Sequence, residues 1–191
     1  MRASGGPTRT SSRATGSSAA EPRPGAVLAG HDAQGGPPVS ELYGADDLGR
    51  LEADIDRWLE RCRRDNDTIL AIDRGEPDER RWYVRMRGEE KDFITLWLTL
   101  GQRTLRHETY VMPAPEENER ELWEHLLRRN DGLVGCHFSV GAEDAVYLRG
   151  DLPLVAVNEA EIDRLVGTTW ATVERVFPVA IRIGFASRFT D

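Results

Sequence analysis

A histidine and a glutamate stand side by side in the stretch "LRHETYVM", which begins like the His-Glu-x-x-His motif of zinc proteases. That motif needs two histidines four residues apart on one face of a helix, with the glutamate as general base. Here the residue four positions after His107 is Val111. The segment also alternates with period two and follows a turn, which is typical of a strand. We therefore interpret His107 as a strand residue and predict no metal site and no cofactor.

The other side chains that could do chemistry show no spacing that supports catalysis. Cys62 and Cys136 form no Cys-x-x-Cys motif, and two separated buried thiols are expected in a cytoplasmic protein. The sequence has no Walker loop, no Gly-x-Gly-x-x-Gly and no Gly-x-Ser-x-Gly. We predict no catalytic residues and a protein that is not an enzyme. The alternative is an enzyme or small-ligand protein that uses His107, His137 or Glu108 in a pocket.

Composition limits the classes of partner. The 191 residues carry a formal net charge of −8, so the overall field does not attract nucleic acid or an anionic membrane. No apolar run approaches the roughly 20 residues that a membrane helix needs. Residues 1–42 are rich in Gly, Ser, Thr, Pro and Ala, and such a segment cannot bury enough apolar surface to fold. We predict a disordered tail over 1–42, a folded domain over 43–191 and a cytoplasmic location.

The hydrophobic pattern predicts an α+β domain. A helical repeat begins at Asp46, and short alternating segments follow it. The segment "RWYVRMRG" points Trp82, Val84 and Met86 to one side and its arginines to the other. A second helix is predicted over "APEENERELWEHLLRRNDG", with Pro115 in its first turn, and a third begins near Asn158. The order α-β-β-β-α-β-β-α favours a central antiparallel sheet of about five strands with flanking helices; residues 178–189 fit either a helix or a strand.

The stretch "DFITLWLTLGQRTLRHETYVM" predicts a long hairpin. Gly101 and Gln102 suit a two-residue type II′ turn, which fixes the register of the two strands. The expected cross-strand pairs are Leu98 with Leu105, Leu96 with His107, Ile94 with Thr109, Trp97 with Arg106, Thr95 with Glu108, and Phe93 with Tyr110.

The second face of this hairpin is partly apolar. Phe93, Trp97, Arg106 and Tyr110 share it, and aromatic residues and arginine are enriched in the cores of protein interfaces. We therefore predict that these four residues form an interface, although elements of the same chain could instead cover both faces. Arginines interleaved with an aromatic residue are also found in single-strand nucleic-acid binders, but the acidic net charge argues against nucleic acid as a partner.

Several segments together resemble the actinobacterial branch of the YbjN-domain proteins. They are "RGEEKD", "LGQRTL", "ETYVMPAPEEN" and "GAEDAVYL", and they occur in the same order. The resemblance covers roughly Leu48 to Phe189. The branch commonly has "LRQRTL", so Gly101 is a departure that favours a tight turn.

The resemblance implies a fold similar to type III secretion chaperones, frequent homodimers and a general label of sensory-transduction regulator. It supplies no catalytic residues. Together with the residues, it predicts a protein-binding module, chaperone-like or regulatory, that acts as a homodimer on an unknown protein partner.

Overall fold

The computed structural model describes residues 43–141 and 143–189. The predicted tail over 1–42 lies outside the described residues. A short 3₁₀ helix precedes the last long helix, and another follows it. The elements, in chain order, are α1 Ala45–Asp65, β1 Ile69–Arg74, β2 Arg81–Arg87, β3 Phe93–Leu100, β4 Thr104–Met112, α2 Glu119–Asn130, β5 His137–Val140, β6 Val146–Pro153 and α3 Glu159–Gly184.

The strands form one antiparallel sheet in the order β1-β2-β3-β4-β6-β5. The α+β class and the central antiparallel sheet with flanking helices are therefore confirmed. The predicted number of about five strands is wrong, because the sheet has six. The predicted order counted three strands before α2, whereas the structure has four there, β1 to β4.

The predicted register of the β3–β4 hairpin is wrong by one step of two residues. Leu98 lies opposite His107, and Leu100 lies opposite Leu105. Gly101–Arg103 lie between the two strands, and the Gly101 N–H donates to the Thr104 carbonyl at 2.9 Å, so the tight turn is centred on Gln102 and Arg103, one residue later than predicted. A shift of two residues keeps every side chain on its predicted face. The faces of the hairpin are thus as predicted, while the cross-strand partners differ.

One face of the sheet packs against α1 and α3. The inward residues of β2, Trp82, Val84 and Met86, have no solvent exposure, as the alternation of that strand predicts. The indole Nε1–H of Trp82 donates to the Asp56 carboxylate of α1 at 2.6 Å, which satisfies its buried donor. The apolar stripe of α1 covers this layer with Leu48, Leu51, Ile55 and Leu59.

The starts and ends of the helices correct two predictions. Helix α2 begins at Glu119, not near Pro115, and Asn118 before it has a positive φ of 51°. Helix α3 begins as predicted, since the Asn158 side chain accepts the Glu161 N–H at 3.1 Å. It continues through Pro178 to Gly184, so the segment whose state was ambiguous is helical.

A buried carboxylate of α3 holds the turn between β2 and β3. Glu174 accepts the backbone N–H groups of Glu89 at 2.7 Å, Glu90 at 2.8 Å and Lys91 at 3.2 Å. A Cβ at Gly88 would lie 2.4 Å from the Glu174 Oε1, so this approach requires glycine. The turn leads directly into β3, and its anchoring fixes where that strand begins.

Candidate interaction site

The sheet face opposite α1 and α3 carries a concentration of arginines and aromatic residues. In the described part of the chain, the helices pack on the other side, and the side chains here are exposed or half-buried. We call this surface the open face. Its central strands contribute Arg81, Tyr83, Arg85, Arg87, Phe93, Thr95, Trp97, Thr99, Arg106, Glu108 and Tyr110, and β6 contributes Tyr147, Arg149 and Asp151.

Strand register places these residues in a row across the sheet. Tyr83 lies opposite Trp97, Trp97 opposite Glu108, and Glu108 opposite Arg149. Side chains directly opposite each other on one face are close enough to interact. The row therefore follows from the alternation of each strand together with the pairing between strands.

Four aromatic rings on the open face contact one another, and we call them the aromatic ladder. Trp97 lies 6.3 Å from Tyr83 with an interplanar angle of 82°, and 6.3 Å from Tyr147 at 58°. Tyr147 in turn meets Tyr110 at 5.7 Å and 82°. The two pairs at 82° are edge-to-face, which is a favoured geometry for aromatic rings, and the Trp97–Tyr147 pair is tilted. The ladder is thus a pre-ordered surface rather than a set of separate side chains.

Glu108 lies at the centre of the charges on the open face. Its carboxylate accepts the Arg149 Nε–H at 2.9 Å and lies 3.5 Å from the Arg106 Nε. The guanidinium of Arg149 also lies 4.3 Å from the centre of the Tyr147 ring, within cation–π range. One carboxylate therefore orients two arginines of different strands.

The Tyr110 end of the aromatic ladder lies next to the β2–β3 turn that Glu174 holds. The Lys91 ammonium lies 5.3 Å from the Tyr110 ring centre and 5.6 Å from that of Phe177 on α3. Burial is the main cause of a lowered pKa for Lys91, and burial also raises the pKa of Tyr110. The Glu174 anchor thus positions a cation against the aromatic ladder.

The structure brings the four residues predicted as an interface onto one face. Trp97 and Tyr110 belong to the aromatic ladder, Arg106 lies beside Glu108, and Phe93 is 58% exposed at the start of β3. The predicted pairs of Trp97 with Arg106 and Phe93 with Tyr110 are wrong, because the hairpin register differs. Trp97 instead lies opposite Glu108, and Arg106 opposite Thr99. Their role as an interface remains a prediction.

Sequence reasoning missed Tyr147 and Arg149 as parts of the same surface. They alternate with the buried Val146 and Leu148, and that alternation was the available signal for their face. What it did not provide was the pairing of β6 with β4, which joins segments distant in the sequence.

The residues of the alternative pocket do not converge. His107 is buried on the helix-facing side, where its Nε2 lies 3.2 Å from the Gly135 carbonyl. Glu108 is its neighbour in β4 and points to the open face. His107 and Glu108 therefore do not line one cleft. His137, at the exposed start of β5, lies opposite Arg149 in the sheet, and its charge contributes to the lowered pKa of His107.

The thiols are poorly suited to act as nucleophiles. Cys62 and Cys136 are free, and burial raises the pKa of both, to about 11 for Cys62. The Cys62 Sγ lies 3.9 Å from the Asp163 carboxylate, and that negative charge adds to the shift. Since the thiolate is the reactive form, Cys62 is almost wholly in its inert form near neutral pH.

Helix α2 carries a second exposed apolar strip. Trp123 and Leu127 are one helical turn apart, and Leu127 is 67% exposed. The Glu124–Arg128 ion pair at 2.6 Å lies beside them. We call this strip, together with its flanking charges Glu119, Arg120, Glu124 and Arg128, the α2 ridge.

Residues 43–141 and 143–189 contain no group of three His, Cys, Asp or Glu side chains arranged to hold a metal ion. No helix in those ranges combines the length and the apolar character required to cross a membrane.

The fold and the open face together define an α+β domain in which helices cover one side of an antiparallel sheet. The chain belongs to the YbjN family: the family model described as "Putative bacterial sensory transduction regulator" matches residues 54–182. The resemblance seen in the sequence is thus confirmed.

Curated relatives occur in mycobacteria. The chain is 34% identical over 104 residues to uncharacterised proteins of Mycobacterium tuberculosis and Mycobacterium bovis, a match covering 54% of this chain and 57% of each relative. An uncharacterised protein of Mycobacterium leprae is 31% identical over 107 residues, covering 56% of this chain and 58% of the relative. The chain thus spans little more than half the length of the curated relatives it matches.

Among solved structures, the chain is similar to one in the heterodimeric complex ExoU-SpcU from the type III secretion system of Pseudomonas aeruginosa. The TM-score is 0.45 and the sequence identity 13%. The match covers 65% of this chain and 95% of that one.

Proposed function

We propose that this protein is a non-enzymatic, cytoplasmic protein-binding module, chaperone-like or regulatory, that works as a homodimer and holds a partner protein on the open face. The observation that carries the proposal is the open face itself. It joins a pre-ordered aromatic ladder to several arginines on a rigid sheet. Rigid aromatic side chains lose little conformational entropy on binding, and with arginine they dominate the energetic centres of interfaces.

The open face is a better docking surface for a partner than the edge of the sheet at β5. The Asn130 side chain accepts the Phe138 N–H at 2.7 Å and donates to the Phe138 carbonyl at 3.2 Å. The amide thereby takes the place of a neighbouring strand at the middle of β5. A partner that added a strand there would first have to displace it.

The α2 ridge supports a two-fold dimer. The first turn of helix α2 carries Glu119, and its last turn carries Arg128. If two copies of α2 pack antiparallel, the acidic start of one helix meets the basic end of the other, while Trp123 and Leu127 of both copies fill the centre. A two-fold interface must be self-complementary in this way.

The oligomeric state tests the dimer. Size-exclusion chromatography with light scattering on the full chain should show a dimer that dissociates on dilution. Leu127→Glu should shift it to the monomer, because a charge replaces an apolar contact at the centre of the interface. Val155→Glu is the control: Val155 is 85% exposed in the 3₁₀ helix before α3, outside the α2 ridge, and the dimer should persist. A concentration-independent monomer for the unmodified chain would contradict the dimer.

Capture of a partner tests the open face. The full chain is used as bait in extract from its native cell, beside Trp97→Ala and the control Val155→Ala. Trp97→Ala should lose a captured protein that the other two retain, while its thermal stability falls by much less than that of a buried tryptophan variant. Equal capture by all three baits would refute binding through the open face.

A further inference from the structure

We infer that the segment bound by the open face is an acidic peptide that carries a large apolar side chain among its carboxylates. This inference rests on the proposed function and names the chemistry of the partner. The occupant is identified by charge complementarity and by the exposed ring of Phe93 at the edge of the face.

The open face is cationic on an acidic chain. The whole chain carries −8, yet arginines outnumber acids on this surface. The arginines are Arg81, Arg85, Arg87, Arg106 and Arg149, joined by Lys91 at the Tyr110 ring, and the acids are Asp73, Glu79, Glu108 and Asp151, of which Glu79 pairs with Arg81 at 3.2 Å. A local potential opposite in sign to that of the remaining molecule selects a negatively charged partner and speeds its encounter.

Several of these guanidinium groups have donors to spare. Arg85 meets Asp73 only at 4.0 Å, and its side chain is 54% exposed. Arg106 meets Glu108 at 3.5 Å and is similarly exposed. Among the described residues, Arg87 forms no ion pair with any acid. A guanidinium binds carboxylate through two parallel N–H···O bonds, so these three groups can each receive an acidic side chain.

Phe93 supplies the apolar contact. It lies directly opposite Arg87, at the end of the face where β3 begins. Its ring is exposed, while the rings of the aromatic ladder are half-buried against one another. A ligand with a carboxylate for Arg87 and an adjacent aromatic or aliphatic side chain therefore fits this corner.

The ring geometry favours a peptide over single-stranded nucleic acid. Bases bind by stacking flat on exposed ring faces. Here the guanidinium of Arg149 covers Tyr147, and the Lys91 ammonium lies over Tyr110. Glu108 also places a negative charge at the centre of the face, where a phosphate backbone would pass. Two of the four ladder rings are thus covered by cations, and the charge on this described surface is not uniformly positive, as a phosphate backbone would require.

A second copy of the chain is a poorer occupant. Two open faces brought together would oppose cationic surface to cationic surface. The α2 ridge has the apolar side chains, but α2 contains as many arginines as glutamates. An acidic segment of another protein complements the open face better than the open face or the α2 ridge of a second copy does.

The test is a binding titration on the full chain, followed by backbone amide NMR. The probes are a peptide in which glutamates flank one phenylalanine and one leucine, the same peptide with lysines in place of the glutamates, and a short single-stranded oligothymidylate. The acidic peptide should bind, shift the amide signals of β2, β3 and β4, and lose affinity as salt rises. The lysine peptide should bind at least roughly tenfold more weakly.

Charge reversal locates the site. The double variant Arg85→Glu with Arg106→Glu should weaken binding of the acidic peptide by roughly tenfold or more. The matched control is Arg50→Glu with Arg57→Glu, because both arginines are exposed on α1 and make the same change in net charge. The control should keep most of the affinity. An equal loss in both double variants would overturn the inference.

The remaining outcomes separate this inference from the proposed function. Tighter binding of oligothymidylate than of the acidic peptide would overturn it in favour of nucleic acid. No binding of the acidic peptide, with Trp97-dependent capture of a protein still present, would overturn the acidic specificity alone. Loss of that capture as well would remove both proposals.

Discussion

Cys62 shows how burial controls the reactivity of a single side chain. Its pKa is raised to about 11, chiefly by burial and further by the Asp163 carboxylate. At neutral pH only about one thiol in ten thousand is then ionised. The residue belongs to the core between α1 and α3, and its chemistry follows from that position.

The Cys62 thiol should therefore resist labelling. In a Cys136→Ser variant, which leaves Cys62 as the only cysteine, reaction with a thiol-specific disulfide reagent at neutral pH should be slow in the folded protein. Unfolding in urea should accelerate it by orders of magnitude. Rapid labelling of the folded variant would contradict the buried, protonated state.

His107 connects stability to pH. Burial lowers its pKa, and Arg164 and His137 act in the same direction, while the Gly135 carbonyl and Asp151 oppose the shift. The folded state thus holds a neutral imidazole below about pH 6.5, where the unfolded chain already binds a proton. The contribution of His107 to the free energy of unfolding is fully present above the pKa of the unfolded chain. It falls as the pH is lowered from that pKa towards the lower pKa of the folded state.

Replacing His107 should flatten that response. His107→Gln keeps a neutral donor for the Gly135 carbonyl but has no group that titrates. Urea unfolding at several pH values between about 7 and 5 should show a shallower fall in the free energy of unfolding than in the unmodified chain. A slope as steep as before would mean that another group governs acid sensitivity in this range.

At the scale of elements, Glu174 joins α3 to the turn between β2 and β3. Its two carboxylate oxygens accept three backbone N–H groups. An amide in this position places its own N–H groups against those donors. Glu174→Gln should therefore lower the free energy of unfolding by about 1–3 kcal/mol.

The matched control for Glu174 is Glu121→Gln on the exposed surface of α2, which should change stability by less than about 0.5 kcal/mol. Denaturant titrations of both variants provide the measurement. Equal stability of the two variants would show that the carboxylate does not hold the turn.

Asn130 protects the edge of β5 by pairing with both backbone groups of Phe138. Asn130→Ala removes both bonds, and Asn130→Asp keeps only the acceptor. Asn130→Ala should lower the free energy of unfolding by about 1–3 kcal/mol, and Asn130→Asp should lower it by a smaller amount. Both should increase self-association above that of the unmodified chain, because an open edge templates further pairing. Sedimentation at several concentrations measures it; unchanged association would contradict the protective role.

The hairpin and α2 show what could be predicted from the sequence. Alternation in β3 and β4 correctly placed Trp97 and Tyr110 on one face, because the period of a strand is local. The cross-strand partners were wrong, because the turn is centred on Gln102 and Arg103 rather than on Gly101 and Gln102. Moving a turn by one residue shifts the register by two. The late start of α2 likewise depends on the left-handed conformation of Asn118, which composition does not reveal.

At the scale of the whole domain, the part of the chain that the structure describes is organised around one apolar core. In the described residues, the buried side chains of α1, α2, α3 and all six strands form a single cluster. The open face was only partly predictable at this scale, since it needed the pairing of β4 with β6 to bring Tyr147 beside Tyr110. Such long-range pairing is decided by the packing of the complete sheet rather than by any local pattern.

A single core predicts cooperative unfolding. Far-UV and near-UV circular dichroism should report the same denaturant midpoint. Ile55→Ala in α1, a fully buried position, should lower the free energy of unfolding by about 2–5 kcal/mol and move both midpoints together. Separate transitions for the helices and for the aromatic signals would indicate two independent units instead.

Helix α3 holds two loops, the turn between β2 and β3 and the loop before α2, from two positions along its length. The Glu174 side chain holds the turn between β2 and β3. The Glu174 carbonyl receives no helical hydrogen bond from Pro178, because proline has no N–H. Further along, the Gly184 carbonyl receives the N–H groups of Glu116 and Glu117 before α2. One added residue between Glu174 and Gly184 would rotate the second attachment by about 100° relative to the first. Among homologues, this part of α3 should therefore tolerate substitutions but not changes in length.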